Sequence, residues 1–172
     1  MPRIHSFAPV ARPDARVLVL GSMPGAASLA AGRYYAHPRN AFWPIVAALG
    51  GAPANVDYEQ RTAALVERGL ALWDVLQACE REGSLDAAID LATAATNDFA
   101  AFFRAHPQIV AVACNGGTAH EVFRRRVLPT LPKPPVVLKL PSTSPAHAGV
   151  AFAQKLAAWR RALARFLRRT GR

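Results

Sequence analysis

The sequence predicts an α/β fold, a three-layer α/β/α arrangement around a central four-stranded, mainly parallel sheet. Two observations support this fold class. Four short runs of aliphatic and β-branched residues have the length and composition of strands that are buried on both faces. These runs are residues 17–20, 70–76, 109–114 and 136–140. Between successive runs, apolar residues recur at helical spacing, so each connection can place a helix against the sheet.

The composition predicts one folded domain, residues 1–172. A length of 172 residues with 52% hydrophobic residues can bury a substantial core and argues against disorder. No run approaches the roughly 18 apolar residues that a membrane span needs. Prolines and charged residues interrupt the N-terminus, so it lacks the basic and then apolar pattern of a secretory signal. We therefore expect a soluble, monomeric, cytoplasmic protein without membrane contact.

The remaining elements follow from proline content and helical spacing. Residues 1–16 are predicted to be an irregular lead-in because they contain three prolines. Residues 81–91 are predicted to form a loop with a short helix or turn. Helices are predicted at residues 42–49, 58–68, 99–104, 119–127 and 149–169.

Three of the four strands end in polar turns that are rich in glycine or proline. The turns are Gly21–Gly25 (GSMPG), Asn115–Thr118 (NGGT) and Pro141–Pro145 (PSTSP). Because right-handed crossovers bring the carboxyl ends of parallel strands to one edge of the sheet, we expect the turns to share one site. The loop after GSMPG adds two tyrosines and Asn40, side chains that suit a flat, polar, aromatic group such as a base.

The net charge of +10 is unevenly distributed. Residues 57–98 are acidic on balance, whereas residues 99–172 combine many arginines and lysines with Glu121 as the one acid. A basic surface opposite an acidic one is typical of a protein that binds a polyanion. A general preference for arginine would produce the same composition, so charge alone does not decide the function.

The turn GSMPG and the segment YYAHPRNAFWP, residues 34–44, resemble the first motif of the uracil-DNA glycosylase superfamily. Their residues are most similar to those of the hypoxanthine-DNA (deoxyinosine) glycosylase branch, family 6. PSTSP resembles the second motif, and the resemblance covers about residues 16–160. It implies a monofunctional DNA glycosylase that flips a deaminated base out of the helix and directs water at its N-glycosidic bond. Hypoxanthine is the favoured base and uracil the second candidate.

Asn40 is the leading catalytic candidate, because the matching asparagine of the hypoxanthine branch is taken to hold the attacking water or the purine. Asn40 also precedes an apolar helix, so a helix N-cap is the alternative, and both roles use the same side-chain oxygen. Met23 stands where many relatives have an Asp or Asn that activates water. A thioether neither takes a proton nor orients water well, which argues against ordinary uracil excision.

The resemblance also implies contacts with the flipped base. Tyr35 matches the aromatic residue that stacks on the base, with hydrophobic packing as the alternative. Asn115 matches the residue that reads the base edge, with turn formation as the alternative. The predicted substrate-binding set is Gly21, Ser22, Met23, Pro24, Gly25, Tyr35, His37 and Asn115.

DNA contact is expected from Ser142, Thr143, Ser144 and Arg39, because small hydroxyls and a guanidinium can bond phosphate oxygens. The alternative for PSTSP is an ordinary turn in which Ser144 caps the last helix. Two weaker catalytic candidates are His147 near the second motif, which could also be a plain surface residue, and Asp74, which could also be a solvated or capping residue.

No cofactor is expected and no metal site. The two cysteines, Cys79 and Cys114, cannot supply the four ligands that an iron–sulfur cluster of some superfamily branches needs. The three lysines lie outside the motif loops, so a Schiff-base lyase step is not expected. The partner would be DNA with deaminated bases, in a bacterial nucleoid. Two other hypotheses are a catalytically silent DNA-binding module on the same fold and an enzyme on a free nucleotide; GSMPG lacks the phosphate-binding glycine pattern of the latter.

Overall fold

The computed structural model describes residues 1–169, and it confirms the predicted fold class. The strands are β1 (Arg3–His5), β2 (Val17–Gly21), β3 (Leu70–Asp74), β4 (Leu76–Arg81), β5 (Ile89–Thr96), β6 (Ala111–Asn115) and β7 (Val136–Leu140). The helices are α1 (Ala26–Ala31), α2 (Phe42–Ala48), α3 (Tyr58–Glu67), α4 (Phe99–Ala105), α5 (Gly117–Val122) and α6 (Phe152–Leu163). Within residues 1–169, no helix has the length and apolar character that crossing a membrane requires.

The central sheet has four parallel strands in the order β3-β2-β6-β7. Its two inner strands are buried along their whole length because helices cover both faces of the sheet. Leu18, Leu20 and Val112 face one apolar core, and Val17 and Val19 face the other. The alternation of faces along β2 explains why its four apolar residues follow one another without a polar residue between them.

A second, antiparallel sheet, with the order β1-β4-β5, was not predicted. The irregular lead-in predicted for residues 1–16 is wrong at β1, where Arg3 pairs with Glu80 and His5 with Ala78. The loop with a short helix predicted for residues 81–91 is present, with a 3-10 helix at Asp86–Ala88, but its two ends belong to strands, because β4 continues to Arg81 and β5 begins at Ile89. These strands are short or rich in alanine and threonine, so their own apolar pattern is weak and pairing with distant residues determines them.

Other differences concern the ends of elements. Residues 26–31, expected to lie in a loop, form α1, which ends where Gly32 adopts a left-handed φ of 63°. The predicted second strand, residues 70–76, is divided at Val75 between β3 and β4. The last helix is shorter than predicted: it begins at Phe152 and ends at Leu163, so Ser144 does not cap it. The helix that was expected to begin at residue 119 is α5, and it begins at Gly117.

Candidate active site

A pocket of about 390 Å³ lies at the carboxyl ends of β2, β3 and β6. As expected, all three polar turns contribute to its lining. Its buried end, which we call the floor, is formed by Gly21, Tyr35, Asp74 and Asn115. Its more exposed end, which we call the mouth, includes His37, Asn40, Ser144 and His147. This arrangement follows from the parallel sheet, because every strand that enters from one edge leaves its last residue at the other.

Backbone and side-chain hydrogen bonds join the two motif loops. The Ala41 N–H donates to the Thr143 carbonyl oxygen over 2.9 Å. Asn115 is bound to Thr143 at both ends of its carboxamide, with Nδ2 donating to Oγ1 over 2.9 Å and Oδ1 accepting from the backbone N–H over 2.9 Å. These bonds join the end of β6 to the second motif and leave the carboxamide one N–H and one lone pair.

Gly116 allows the end of β6 and the second motif to approach closely. Its φ is 98°, in the left-handed region that favours glycine, and a Cβ there would lie 3.1 Å from the Cβ of Ser142. The hydroxyls of the second motif then shape their own loop. Ser142 Oγ accepts from the Ser144 N–H over 3.1 Å, and Ser144 Oγ accepts from the Ala146 N–H over 3.2 Å.

Asn40 lines the pocket and forms a side-chain turn just before helix α2, whose N-cap is Ala41. Its Oδ1 accepts a hydrogen bond from the Phe42 N–H over 2.9 Å, which satisfies one of the free donors at the start of the helix. The side chain is half-buried. Among residues 1–169, its Nδ2 has no hydrogen-bond partner in the protein. The Asn40 oxygen therefore supports the start of α2 from the position before the N-cap, and its amide N–H groups are available to a ligand.

Asp74 is a buried carboxylic acid at the floor, with 3% of its surface exposed. Burial, with a smaller contribution from the nearby Asp86 carboxylate, raises its pKa to about 7, and the Arg81 guanidinium opposes this shift. A Cβ at Gly21 would collide with Oδ1 of Asp74 and would lie 3.5 Å from the hydroxyl oxygen of Tyr35. Glycine at position 21 therefore lets both polar groups converge on the end of β2.

Tyr35 is held in an unusual conformation. Its φ is 56°, and its ring stacks on that of Phe42 with the centroids 4.0 Å apart. Because Phe42 covers one face of the ring, a base could stack only on the other face. Burial raises the pKa of the Tyr35 hydroxyl, which therefore stays protonated at neutral pH and can donate a hydrogen bond.

A set of contacts behind the GSMPG turn was missed by the sequence analysis. Arg81, 1% exposed, donates from Nη2 to the Pro24 carbonyl oxygen over 2.6 Å and from Nε to the Gly83 carbonyl oxygen over 3.0 Å. Ser22 Oγ donates to Asp86 over 2.7 Å. These residues hold the turn from the β4–β5 side. The alternating apolar and polar residues of β4 were the only sequence signal for this arrangement, and the turn residues after it obscured the pattern.

The other predicted residues occupy varied positions. Met23 lines the pocket but is 6% exposed and packs into the core. His37 Nδ1 accepts from the Arg39 N–H over 3.1 Å, which shapes the loop. Arg39 is exposed and does not line the pocket, and His147 is exposed at the mouth. No group of three or more His, Cys, Asp or Glu residues within 1–169 could hold a metal ion.

Comparison with known proteins decides the family. The family model of the Uracil DNA glycosylase superfamily matches residues 8–166. A protein named Hypoxanthine DNA glycosylase from Methanosarcina acetivorans is 34% identical over 118 residues, which are 68% of this chain and 73% of that protein. The chain belongs to the uracil DNA glycosylase superfamily.

Two further comparisons agree with this membership. A Hypoxanthine DNA glycosylase from Methanosarcina barkeri is 37% identical over 86 residues, 49% of this chain. That match spans about half of the relative's length, 54%. A solution NMR structure of a protein from Methanosarcina acetivorans, proposed to be a uracil DNA glycosylase, has a TM-score of 0.74 and 28% sequence identity. The superposition covers 93% of the present chain and 98% of the chain in the NMR structure.

Proposed function

We propose that this protein is a DNA glycosylase that hydrolyses the bond between deoxyribose and a deaminated base, with hypoxanthine as the preferred base. One observation carries the proposal: both motif loops line a single pocket of about 390 Å³, in which Asn40 is half-buried and Met23 stands where many superfamily members have an acid or amide. The names of the two Methanosarcina relatives support the choice of hypoxanthine.

In this reaction the electrons of the C1′–N9 bond move to the purine, and a water oxygen attacks C1′ of a sugar that has oxocarbenium character. Asn40 is suited to assist because the Phe42 N–H fixes its Oδ1 and so orients the carboxamide before substrate binds. We assign to its Nδ2 group a hydrogen bond to the departing purine. That bond strengthens as negative charge accumulates on the base, which lowers the barrier.

Met23 cannot take the proton of the attacking water, because a thioether is only a weak acceptor. Its packing into the core also leaves little room for it to move toward the sugar. His147 at the mouth and Asp74 at the floor remain as further candidates for the chemistry. No lysine lines the pocket within the described residues, so the protein's own groups favour direct hydrolysis over a Schiff-base lyase step.

DNA is the proposed partner, and the residues around the mouth suit it. Ser142, Ser144, His37 and the exposed Arg39 could approach phosphates on either side of the flipped nucleotide. A second hollow adjoins the pocket at Gly117 and Thr118 and continues to exposed basic side chains. Those side chains are Arg124 and Lys139.

The deciding experiment uses labelled duplexes that carry one hypoxanthine or one uracil and scores strand cleavage after alkali. Asn40→Ala removes both the amide and the oxygen that accepts from the Phe42 N–H, whereas Asn40→Asp keeps an oxygen for that N–H and loses the amide donor. We expect both variants to lose at least ~100-fold in hypoxanthine excision, the scale of one catalytic group. Only Asn40→Ala should also lose thermal stability.

Asn55→Asp, which changes an exposed asparagine outside the pocket, is the matched control and should keep wild-type activity. Full activity of Asn40→Asp would contradict the role given to the amide. If the wild type bound DNA but excised neither base, the protein would be a catalytically silent DNA-binding module.

A further inference from the structure

We propose that Asp74 and Tyr35 together read the hydrogen-bonding edge of the flipped base, with the carboxylate accepting from the base N–H and the tyrosine hydroxyl donating to the adjacent carbonyl. This inference rests on the proposed glycosylase function and deepens it, because it names the chemical class of base that the floor of the pocket accepts.

The Asp74 carboxyl group and the Tyr35 hydroxyl both hold buried atoms without a good partner. Neither Asp74 Oδ2 nor the Tyr35 hydroxyl makes a hydrogen bond of normal geometry with the described residues, and the Asn115 carboxamide is a polar neighbour of the hydroxyl. Such groups are uncommon in folded proteins because each gives up its bonds to water without replacement. Asp74 is 3% exposed and lines the pocket, so a ligand entering the pocket can supply the missing bonds.

Asp74 and Tyr35 also converge at the end of β2. Asp74 Oδ1 and the Tyr35 hydroxyl oxygen both lie close to the point that a Cβ at Gly21 would occupy, the hydroxyl oxygen 3.5 Å from it. They therefore lie side by side at the floor, where the far edge of a base would arrive while its sugar stays at the mouth. Stacking on Phe42, with ring centroids 4.0 Å apart, holds the tyrosine ring so that its hydroxyl keeps this position.

Asn115, the other polar side chain at the floor, is already engaged at both ends of its carboxamide. It donates one N–H to Thr143 Oγ1 and accepts from the Thr143 N–H, which fixes its orientation and leaves it one N–H and one lone pair. Asp74 Oδ2 and the Tyr35 hydroxyl have no such bond, so they gain more from bonding a base.

The pair selects bases by their donor and acceptor pattern. Hypoxanthine presents N1–H beside the C6 carbonyl, and uracil and xanthine present the same N–H and C=O arrangement. A carboxylate acceptor and a hydroxyl donor match both groups. Adenine presents the N1 lone pair in place of the donor, which would face the carboxylate and repel it. The floor therefore accepts the deaminated base and rejects its abundant parent.

The test compares excision of hypoxanthine with excision of 1-methylhypoxanthine, which lacks N1–H. The wild type should prefer hypoxanthine by at least ~100-fold in kcat/KM, the scale of a charged hydrogen bond that is left unpaired. Asp74→Ala should lower activity on hypoxanthine and bring the ratio of the two substrates to within about tenfold. An equal loss on both substrates would overturn the proposal and leave Asp74 with a role in water activation or in folding.

Two milder variants keep the test open should Asp74→Ala fail to fold. Asp74→Asn supplies an N–H donor and should lower the preference for hypoxanthine over adenine by at least tenfold, and an unchanged preference would overturn the proposal. Tyr35→Phe keeps the stack on Phe42 and should lower kcat/KM for hypoxanthine about tenfold.

Asp98→Asn is the matched control, because this exposed aspartate caps α4 through the Ala101 N–H and asparagine caps equally well. If the wild type excised no base at all, the proposed glycosylase function would be wrong. If the wild type excised hypoxanthine and the variants kept its substrate ratio, only the role of Asp74 and Tyr35 would be wrong.

Discussion

At the scale of the residue, Asp74 combines a stability cost with a proposed function. Its pKa rises from 3.8 to about 7 mainly because burial disfavours the carboxylate. The folded protein therefore holds a proton between these values that the unfolded chain has released. The free energy of unfolding should fall as the pH rises from about 4 through about 7, and it should be constant above that.

Asp74→Asn should remove this dependence. We expect the variant to gain ~1–3 kcal/mol of stability over the wild type at about pH 8, because a neutral amide escapes the cost of burying charge. At about pH 4 the difference should be small. Thermal unfolding of both proteins across this range measures the effect. If the free energies of unfolding of the two proteins changed in parallel with pH, ionisation of Asp74 would not destabilise the folded protein.

The same group predicts a pH profile for activity. The proposed acceptor is the carboxylate, so kcat/KM for hypoxanthine should rise as Asp74 ionises around pH 7 and then level off. Excision rates of wild type at saturating and limiting DNA, measured from about pH 5.5 to pH 8.5, test this. A rate that is flat through neutrality would mean that the protonation of Asp74 does not limit the reaction.

At the scale of the element, the antiparallel sheet supports the turn that carries the first motif. Arg81 leaves the end of β4 and binds two backbone carbonyls, one of them in the GSMPG turn. The Ala26 N–H, at the start of α1, donates to Ser84 Oγ over 2.9 Å from the same side. The turn is thus held by a strand pair that does not belong to the central sheet.

Arg81→Met keeps the length of the side chain and removes its donors. We expect a loss of ~2–4 kcal/mol in the free energy of unfolding, because the buried Pro24 carbonyl and the part-buried Gly83 carbonyl lose a charged partner. We also expect a drop in kcat for hypoxanthine, because Pro24 is freed to move. Chemical denaturation and single-turnover excision measure the two effects.

Arg126→Met is the matched control. Arg126 also donates to two backbone carbonyls, those of Leu91 and Ala94, but it is exposed. Its loss should cost less than ~1 kcal/mol. Equal costs for the two variants would contradict the support role of Arg81.

At the scale of the whole molecule, charge is arranged around the pocket. Burial and, to a smaller extent, the positive charges of Lys139 and Arg124 lower the pKa of His120, and the Glu121 carboxylate opposes this shift. These side chains lie next to the hollow that adjoins the pocket mouth. The basic character that the sequence assigned to residues 99–172 therefore includes side chains close to the proposed DNA path.

Arg124→Ala and Lys139→Ala should each weaken DNA binding and reduce the slope of log affinity against log salt by about 1, because each variant loses one phosphate contact. Lys133→Ala is the control. Lys133 is exposed and precedes β7, so it lies toward the sheet edge opposite the pocket. A salt slope that the three variants change equally would locate the DNA elsewhere.

The extent to which the site could be predicted depends on the residue. Asn40 was predicted to be catalytic because a specific motif surrounds it, and the alternative capping role followed from its place before an apolar helix. Arg81 and Asp86 were missed because a buried arginine and a paired aspartate look like ordinary loop residues until the chain folds. The contact of Asn115 with the base stays a prediction, and its bonds to Thr143, 28 residues away in sequence, are ones that no local pattern reveals.

The sequence by itself determined the parallel sheet and the edge at which the site forms. Buried strands such as β2 need continuous apolar residues, and polar turns follow their carboxyl ends. The local composition of the sequence therefore indicates both the strands and the edge of the site. The tertiary structure alone decided the antiparallel sheet, the support of the GSMPG turn and the convergence of Asp74 with Tyr35. These features depend on partners far apart in the chain. A short strand or a buried polar group is stabilised only by the partner that folding brings to it.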